Sequence, residues 1–581
     1  PTVRRPASRF TGFAAVWARA RLWWCPVSHG STRPPRRRSK IVAVVVAAVL
    51  VVAAAGGAAA YLLLRTKGSP QQTAASYLRD WQRGDYAAMD AITTGRPAGG
   101  VAGPLRQAAV QLGQRSLGAR LGAVTSGGGS AQASFTATVA LASGHAWRYH
   151  GGLRLVQRSQ RWLVSWSPAD IYPALRAGDR FTLHATWPPR APVLAADGTE
   201  LSSPAVIASS GSIALLTGNV VAATAAQAKA LGAPYQAGDP IGEGGVEQAY
   251  QAQLAGRPAM AIELTGPGAT SAAVARFPAV PGTPVRTSID MADQRAASAA
   301  VSAAATSKPI DMVAIQPSTG KVLAVVERPG GFDRALSGIF PPGSTFKVVT
   351  ASALARAGMR PSSPVQCPSQ VTIGGRTFHN DNNEQLGATT LQTAFAVSCN
   401  STFAMLAYQR LDGSALASMA ATFGFNASAN LGIPATLGHF TTPQQPVDLA
   451  ADAFGQGTDL VNPLSQASVA AAVDDGTWRP PVLVTSPAPR QASQPHPISP
   501  VILGTLRPMM RAVVTSGTAA GVGFPPGVYG KTGTAQFGNG QQSHGWFIGY
   551  RGDVAFAVLV EGGGFGASSA GPVVNAFLRK L

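Results

Sequence analysis

At 581 residues the chain is long enough for several domains, each burying a core of its own. A formal net charge of +21 suggests nucleic acid as a partner, but nine arginines and one lysine, with no acid, fall within the first 40 residues. The remainder has no Lys/Arg block, no zinc-ligand spacing and no interleaved stacking aromatics, so no nucleic acid, metal or cofactor is expected.

The basic head precedes IVAVVVAAVLVVAAAGGAAAYLLL, Ile41 to about Leu64, which is uncharged and long enough to cross a bilayer. Arg36, Arg37, Arg38 and Lys40 lie just before it. The positive-inside rule then makes residues 1–40 a largely disordered cytoplasmic tail, 41–64 a transmembrane helix and the rest extracytoplasmic, giving a single-pass cell-membrane protein. A cleavable signal peptide ending near Ala58-Ala59-Ala60 is the alternative, although the apolar run exceeds a normal signal core. Cys367 and Cys399 both fall outside, where a disulfide persists; pairing them and leaving them as two separate core residues are both open.

Residues 69–180 open with TAASYLRDWQRGDYAAMDAI, helical in its spacing from Thr73 to Ile92, and continue into AQASFTATVAL, AWRYHGGLRLVQ and RWLVSWSPADIYPAL, which read as strands. A helix leading into a curved antiparallel sheet follows from the pattern. The stretch from Trp162 to Asp179 resembles the end of the NTF2-like N-terminal domain of some class B penicillin-binding proteins, which implies a spacer. From 181 to 285, RAPVLAADGTEL reads as two short strands about an Asp-Gly turn, and GGVEQAYQAQLAGRP as a helix ending at Gly256. Both resemble boxes of the pedestal or dimerisation domain of the same proteins, less the usual arginine at Gly198.

Residues 286–581 read as one α/β unit. TSIDMADQRAASAAVSAAA starts a helix, MVAIQP and KVLAVVE form a hairpin, alanine-rich helices fill the middle, and VYGKTGTAQ, SHGWFIGYRG and VAFAVLVEGG return as strands. That order implies one sheet flanked by helices and closed by both ends of the segment. Within it, FPPGSTFKVVTASALARAGM, Phe340 to Met359, turns at Pro-Pro-Gly into a buried helix. Ser344 and Lys347, three apart, share a helix face, so an amine can lie beside a hydroxyl where free N–H groups favour an attacking oxyanion. Only 8 of the 47 basic residues are lysine, and unlike arginine a desolvated lysine can act as a base. A second Ser-x-x-Lys, Ser318 to Lys321, looks like the loop of the hairpin. Ser398-Cys399-Asn400 ends the helix TTLQTAFAV, whereas Ser428-Ala429-Asn430 reads as an ordinary loop. Lys531-Thr532-Gly533 lies on a strand whose alternation puts Lys531 and Gly533 on one face and Thr532 and Thr534 on the other, with Gly533 letting a substrate backbone approach.

Ser-x-x-Lys, Ser-x-Asn and Lys-Thr-Gly in this order resemble the penicillin-binding protein and serine β-lactamase superfamily. FDRALSGIFPPGSTFK, TLQTAFAVSCNSTFAMLA, FGQGTDLVNPLSQAS, VVTSGTAAGV and GKTGTAQ are similar to its transpeptidase domain. The resemblance implies an α/β (α+β) multidomain class B penicillin-binding protein that cross-links peptidoglycan. In it a D-Ala-D-Ala stem peptide, or a β-lactam, acylates Ser344 with Lys347 as base. Ser398 relays the proton, Asn400 holds Lys347 and the substrate amide, and Lys531 supplies positive potential. Thr532 and Thr534 grip the terminal carboxylate, and the N–H groups of Ser344 and Thr534 form an oxyanion hole. A membrane glycan polymerase of the division or elongation machinery is an implied partner.

Other activities are weighed on the same text. No Glu lies between Glu384 and Glu561 to activate a deacylating water, which argues against a class A β-lactamase. The region after the span is too short for a glycosyltransferase. A D,D-carboxypeptidase stays open, as does a non-catalytic β-lactam sensor or scaffold, although the intact motif residues weigh against the latter.

Overall fold

A computed structural model of the chain describes residues 45–55, 68–267, 273–331, 333–538 and 540–581. The expected cytoplasmic tail and most of the expected span at 41–64 lie outside the described residues; 45–55 are helical with exposed side chains. Among the described residues no helix is long and apolar enough to cross a membrane. The chain divides into two compact units, residues up to 69 with 157–162, and residues 70–156 with 163–581.

The single helix expected over 73–92 is two, α1 (Pro70–Arg83) and α2 (Tyr86–Ala91), because Gly84 adopts a left-handed conformation between them (φ 70°). A third helix, α3 (Ala102–Gln111), precedes a sheet of order β1–β5–β4–β3–β2. Its strands are β1 (Thr93–Thr94), β2 (Gln114–Gly127), β3 (Ser130–Leu141), β4 (Ala146–Arg158) and β5 (Arg161–Ser165). Strand β3 alternates as its sequence requires, burying Ala131, Ala133, Phe135, Ala137, Val139 and Leu141. Trp81 of α1 meets Phe135 edge-on at 6.0 Å, joining helix to sheet.

In the next segment β6 (Arg180–Thr186), β7 (Ala259–Thr265) and β8 (Ala273–Phe277) form a sheet of order β8–β7–β6. Around the Asp-Gly turn only Val193–Leu194 is a strand, closed by a lone bridge from Leu194 to Glu200. The expected helix breaks at Tyr250 into Gly245–Ala249 and Gln251–Ala255 and stops at Gly256 (φ 68°).

The last segment is built on one five-stranded sheet. β9 (Ile310–Gln316) and β10 (Lys321–Arg328) are the expected hairpin; β15 (Tyr529–Phe537), β16 (Gln542–Arg551) and β17 (Val554–Val560) come from the far end. The order is β10–β9–β17–β16–β15, and β9 pairs with β17 through Ile310 opposite Val560. Helices α4 (Met291–Ser302) and α10 (Gly566–Leu578) pack on each other and on the sheet, while α8 (Pro463–Asp475) packs on the central strands. Helix α8 is buried from Pro463 to Val473, which its Ser/Ala-rich sequence permits by keeping the backbone close to the sheet.

Between the sheet strands, α5 (Lys347–Arg356) follows a 3-10 turn, Gly343–Phe346. Four short strands, β11 (Pro364–Cys367), β12 (Gln370–Ile373), β13 (Arg376–His379) and β14 (Gly387–Thr390), pair as β11 with β14 and β12 with β13. Then come α6 (Leu391–Ala396), α7 (Asn400–Arg410) and, further on, α9 (Pro500–Thr515). Cys367 and Cys399 are joined in a disulfide, which resolves the open pairing.

Candidate active site

Ser344 lies in the 3-10 turn rather than in a regular helix, and Lys347 is the first residue of α5. Their side chains meet as the i, i+3 spacing requires, with Lys347 Nζ donating to Ser344 Oγ at 3.0 Å. The turn fits only because its neighbours are bare. A Cβ on Gly455 would stand 1.9 Å from the carbonyl oxygen of Gly343, whose own N–H donates to Gly455 O at 3.0 Å.

Ser398 and Asn400 arrive from the junction of α6 and α7, where Ser398 is left-handed (φ 66°). Lys347 Nζ also lies 2.6 Å from Asn400 Oδ1, 2.6 Å from Ser398 O and 3.3 Å from Ser398 Oγ, more acceptors than its protons serve at once. Lys531, from β15, donates to the same Ser398 Oγ at 2.9 Å and to Thr532 O at 2.9 Å. One hydroxyl therefore sits between two amines.

Both lysines are 0% exposed. Burial pushes the Lys347 amine well below the ordinary lysine range; the Lys531 charge pushes the same way, and Asp381 opposes them. Burial lowers Lys531 to about 7, again against Asp381. A dry amine that sheds its proton readily can accept one from the serine beside it. Phe403, 5.5 Å from Lys347 Nζ, and Phe395, 5.5 Å from Lys531 Nζ, help keep water away.

Ser398, Thr532 and Thr534 face a cleft of about 320 Å³, with Asp381 and Glu384 also among its lining residues. Alternation along β15 aims the two threonines as expected, and Gly533 between them is needed bare by the fold itself. A Cβ there would meet Thr345 Cγ2 at 2.8 Å, Trp546 Cβ at 2.9 Å and Pro342 O at 3.0 Å. Its missing side chain makes room for the turn that carries Ser344.

All the other expected residues converge, and the decoys do not. Ser318 is pinned to Asp553 (Oγ to Oδ2, 2.6 Å) in the exposed β9–β10 loop, and Asn430 donates to Arg490 O at 3.1 Å far along the chain. Three contributors escaped the sequence reading. Thr518 Oγ1 lies 2.7 Å from Thr532 Oγ1, Gln456 Nε2 donates to Thr534 O at 3.3 Å, and Asn380 grips the segment around Asn400. The first two stand in VVTSGTAAGV and FGQGTDLVNPLSQAS, segments that already carried the resemblance.

Residues 311–579 match the penicillin binding protein transpeptidase domain, and residues 69–179 the NTF2-like N-terminal transpeptidase domain. A Mycolicibacterium smegmatis protein named peptidoglycan D,D-transpeptidase PbpA is 32% identical over 320 residues, which cover 46% of this chain and 64% of that relative. The match thus spans less than two thirds of that relative's length. Among solved structures, Pseudomonas aeruginosa PBP2 in complex with WCK 5153 superposes with a TM-score of 0.57 at 24% identity, covering 68% of this chain and 96% of that one. The complex between PBP2 and MreC from Helicobacter pylori gives a TM-score of 0.59 at 16% identity, covering 69% and 98%. These two likenesses carry the mixed α/β fold. Ordered motifs, converging side chains and matched domains agree, and the chain carries a penicillin-binding protein transpeptidase domain preceded by an NTF2-like N-terminal transpeptidase domain.

Proposed function

We propose that the protein is a serine-type D,D-transpeptidase that cross-links peptidoglycan and is acylated by β-lactams. The observation that carries this is the buried Lys347 amine 3.0 Å from Ser344 Oγ, held low in proton affinity by burial. Neutral Lys347 takes the hydroxyl proton as Ser344 Oγ attacks the carbonyl of the penultimate D-Ala. Ser398, in contact with both lysines, passes a proton to the departing D-Ala amine as the peptide bond breaks. Cationic Lys531, with Thr532 and Thr534, receives the terminal carboxylate. N–H groups of Ser344 and Thr534 stabilise the oxyanion, a contribution worth about 3–4 kcal/mol per donor elsewhere. The amine of a second stem peptide then attacks the acyl ester and releases Ser344.

The domain partition at 69–180, 181–285 and 286–581 belongs to this proposal, as does the anchor at 41–64 that places the cleft outside the cell membrane. The Helicobacter pylori complex of PBP2 with MreC motivates a partner of that kind, and the resemblance a membrane glycan polymerase of the division or elongation machinery. Fluorescent penicillin should label the full chain in detergent at Ser344 and leave Ser344→Ala unlabelled. A synthetic stem peptide should yield more transfer product than hydrolysis product when an amine acceptor is present. An adduct mapped to another residue would overturn the assignment, and hydrolysis alone would make the protein a D,D-carboxypeptidase.

A further inference from the structure

The segment that carries Ser398 and Asn400 is gripped from behind by the small strands β11–β14. Cys399 stands between the two residues, and its sulfur is bonded to Cys367 at the end of β11, with the Cα atoms 6.2 Å apart. Asn380, just after β13 and buried, is a second clasp. Its Nδ2 donates to Pro368 O and to Glu384 O, each at 2.7 Å, while its Oδ1 accepts the N–H of Ser401 at 2.9 Å. Ser401 Oγ donates to Pro368 O at 2.5 Å and Thr402 Oγ1 to Gln366 O at 2.7 Å. Positions 399, 401 and 402 of the chain are thereby fixed to residues 366–380.

The grip has a chemical consequence one residue away. Asn400 Nδ2 donates to His379 O at 3.2 Å, so its Oδ1 is left facing Lys347 Nζ at 2.6 Å. Only that orientation satisfies a carbonyl on one side and an amine on the other. Ser398 is held left-handed, a conformation serine rarely adopts unless its surroundings impose it. A helix start needs only a cap, not a disulfide and three side-chain clasps.

We propose that the Cys367–Cys399 disulfide and Asn380 are positioning residues for acyl transfer. They act through Ser398 and Asn400, keeping the Lys347 amine on Ser344 and the Ser398 hydroxyl between the two lysines. The proposal rests on the reading of Ser344 as nucleophile.

The test compares the full chain in detergent with a Cys367→Ala/Cys399→Ala double variant, an Asn380→Ala variant and a control, Thr372→Val. The control removes a side-chain contact in the same strands, Thr372 Oγ1 to Thr377 Oγ1, away from the grip. The second-order rate of acylation by fluorescent penicillin is followed from pH 5 to 10 beside thermal unfolding. Both clasp variants should acylate about tenfold to a hundredfold more slowly, the range set by a misplacement of about 1 Å. Their acid limb should shift, because Lys347's neighbours move, while Thr372→Val keeps the wild-type rate and profile. Clasp variants that melt earlier yet keep the wild-type rate and pH profile overturn the proposal. If the double variant does not fold, Asn380→Ala decides alone, with its disulfide intact. Wild-type protein that is not labelled at Ser344 would instead remove the underlying reading.

Discussion

Two amines share one hydroxyl at Ser398, and a dry site does not hold two neighbouring cations without cost. The acylation rate should therefore be bell-shaped in pH. It rises as Lys347 loses its proton at its lowered value, and falls as Lys531 loses its own near pH 7. Lys531→Arg, whose guanidinium does not titrate, should abolish the alkaline limb while the acid limb stays. An alkaline limb that survives the change would belong to another group. Gly455→Ala should slow acylation about a hundredfold, since a Cβ 1.9 Å from Gly343 O must displace the Ser344 turn; stopped-flow labelling measures it. Ser344, Lys347, Ser398, Asn400 and Lys531 were legible because their types are rare or ordered in the text. The packing of Thr345 and Pro342 against Gly533 was not, because a bare position does not say which neighbour needs the room.

At the scale of elements, boundaries were the weaker part of the reading. Periodicity found α1 but ran it through Gly84, and it took the Ser344 turn for regular helix, since an apolar run does not distinguish a 3-10 start from an α-helical one. Helix α8 shows what an element's end can carry. Asn462 caps it by accepting the N–H of Ser465 at 2.9 Å, and its Nδ2 donates to Leu336 O at 3.0 Å and Thr436 O at 2.9 Å. Asn462→Ala should cost about 2–3 kcal/mol in denaturant unfolding, because a cap is lost and buried carbonyls go unpaired. The segment after Ala453, which backs the Ser344 turn through Gly455, is bracketed by Asp452 and Asp459. Burial raises Asp452 to about 6; burial, then the Asp452 charge, drives Asp459 well up. Carboxyls raised above their unfolded values give stability that is complete below about pH 4 and lost as pH climbs through the folded value. Wild-type protein should thus melt lower at pH 8 than at pH 5, and Asp459→Asn, which cannot ionise, should flatten that slope. Equal slopes would show that Asp459 does not titrate in this range.

Across the whole molecule, the order of motifs was readable while their convergence was not. Residues 344, 398 and 531 are brought together because strands from both ends of the last segment close one sheet, and no local pattern encodes that pairing. The NTF2-like portion was recognisable from alternation and one stretch of text, and its matched residues 69–179 carry none of the site residues. Strand β15, which bears Lys531 to Thr534, is the outermost of the sheet, paired on one side with β16. Two of its carbonyls already accept side-chain donors, Thr534 O from Gln456 and Thr532 O from Lys531, and Thr532 and Thr534 line the cleft. An occupant of the cleft that lies along β15 should therefore shield its backbone, with penicillin-saturated protein exchanging the amide hydrogens of 532–536 more slowly than the free form.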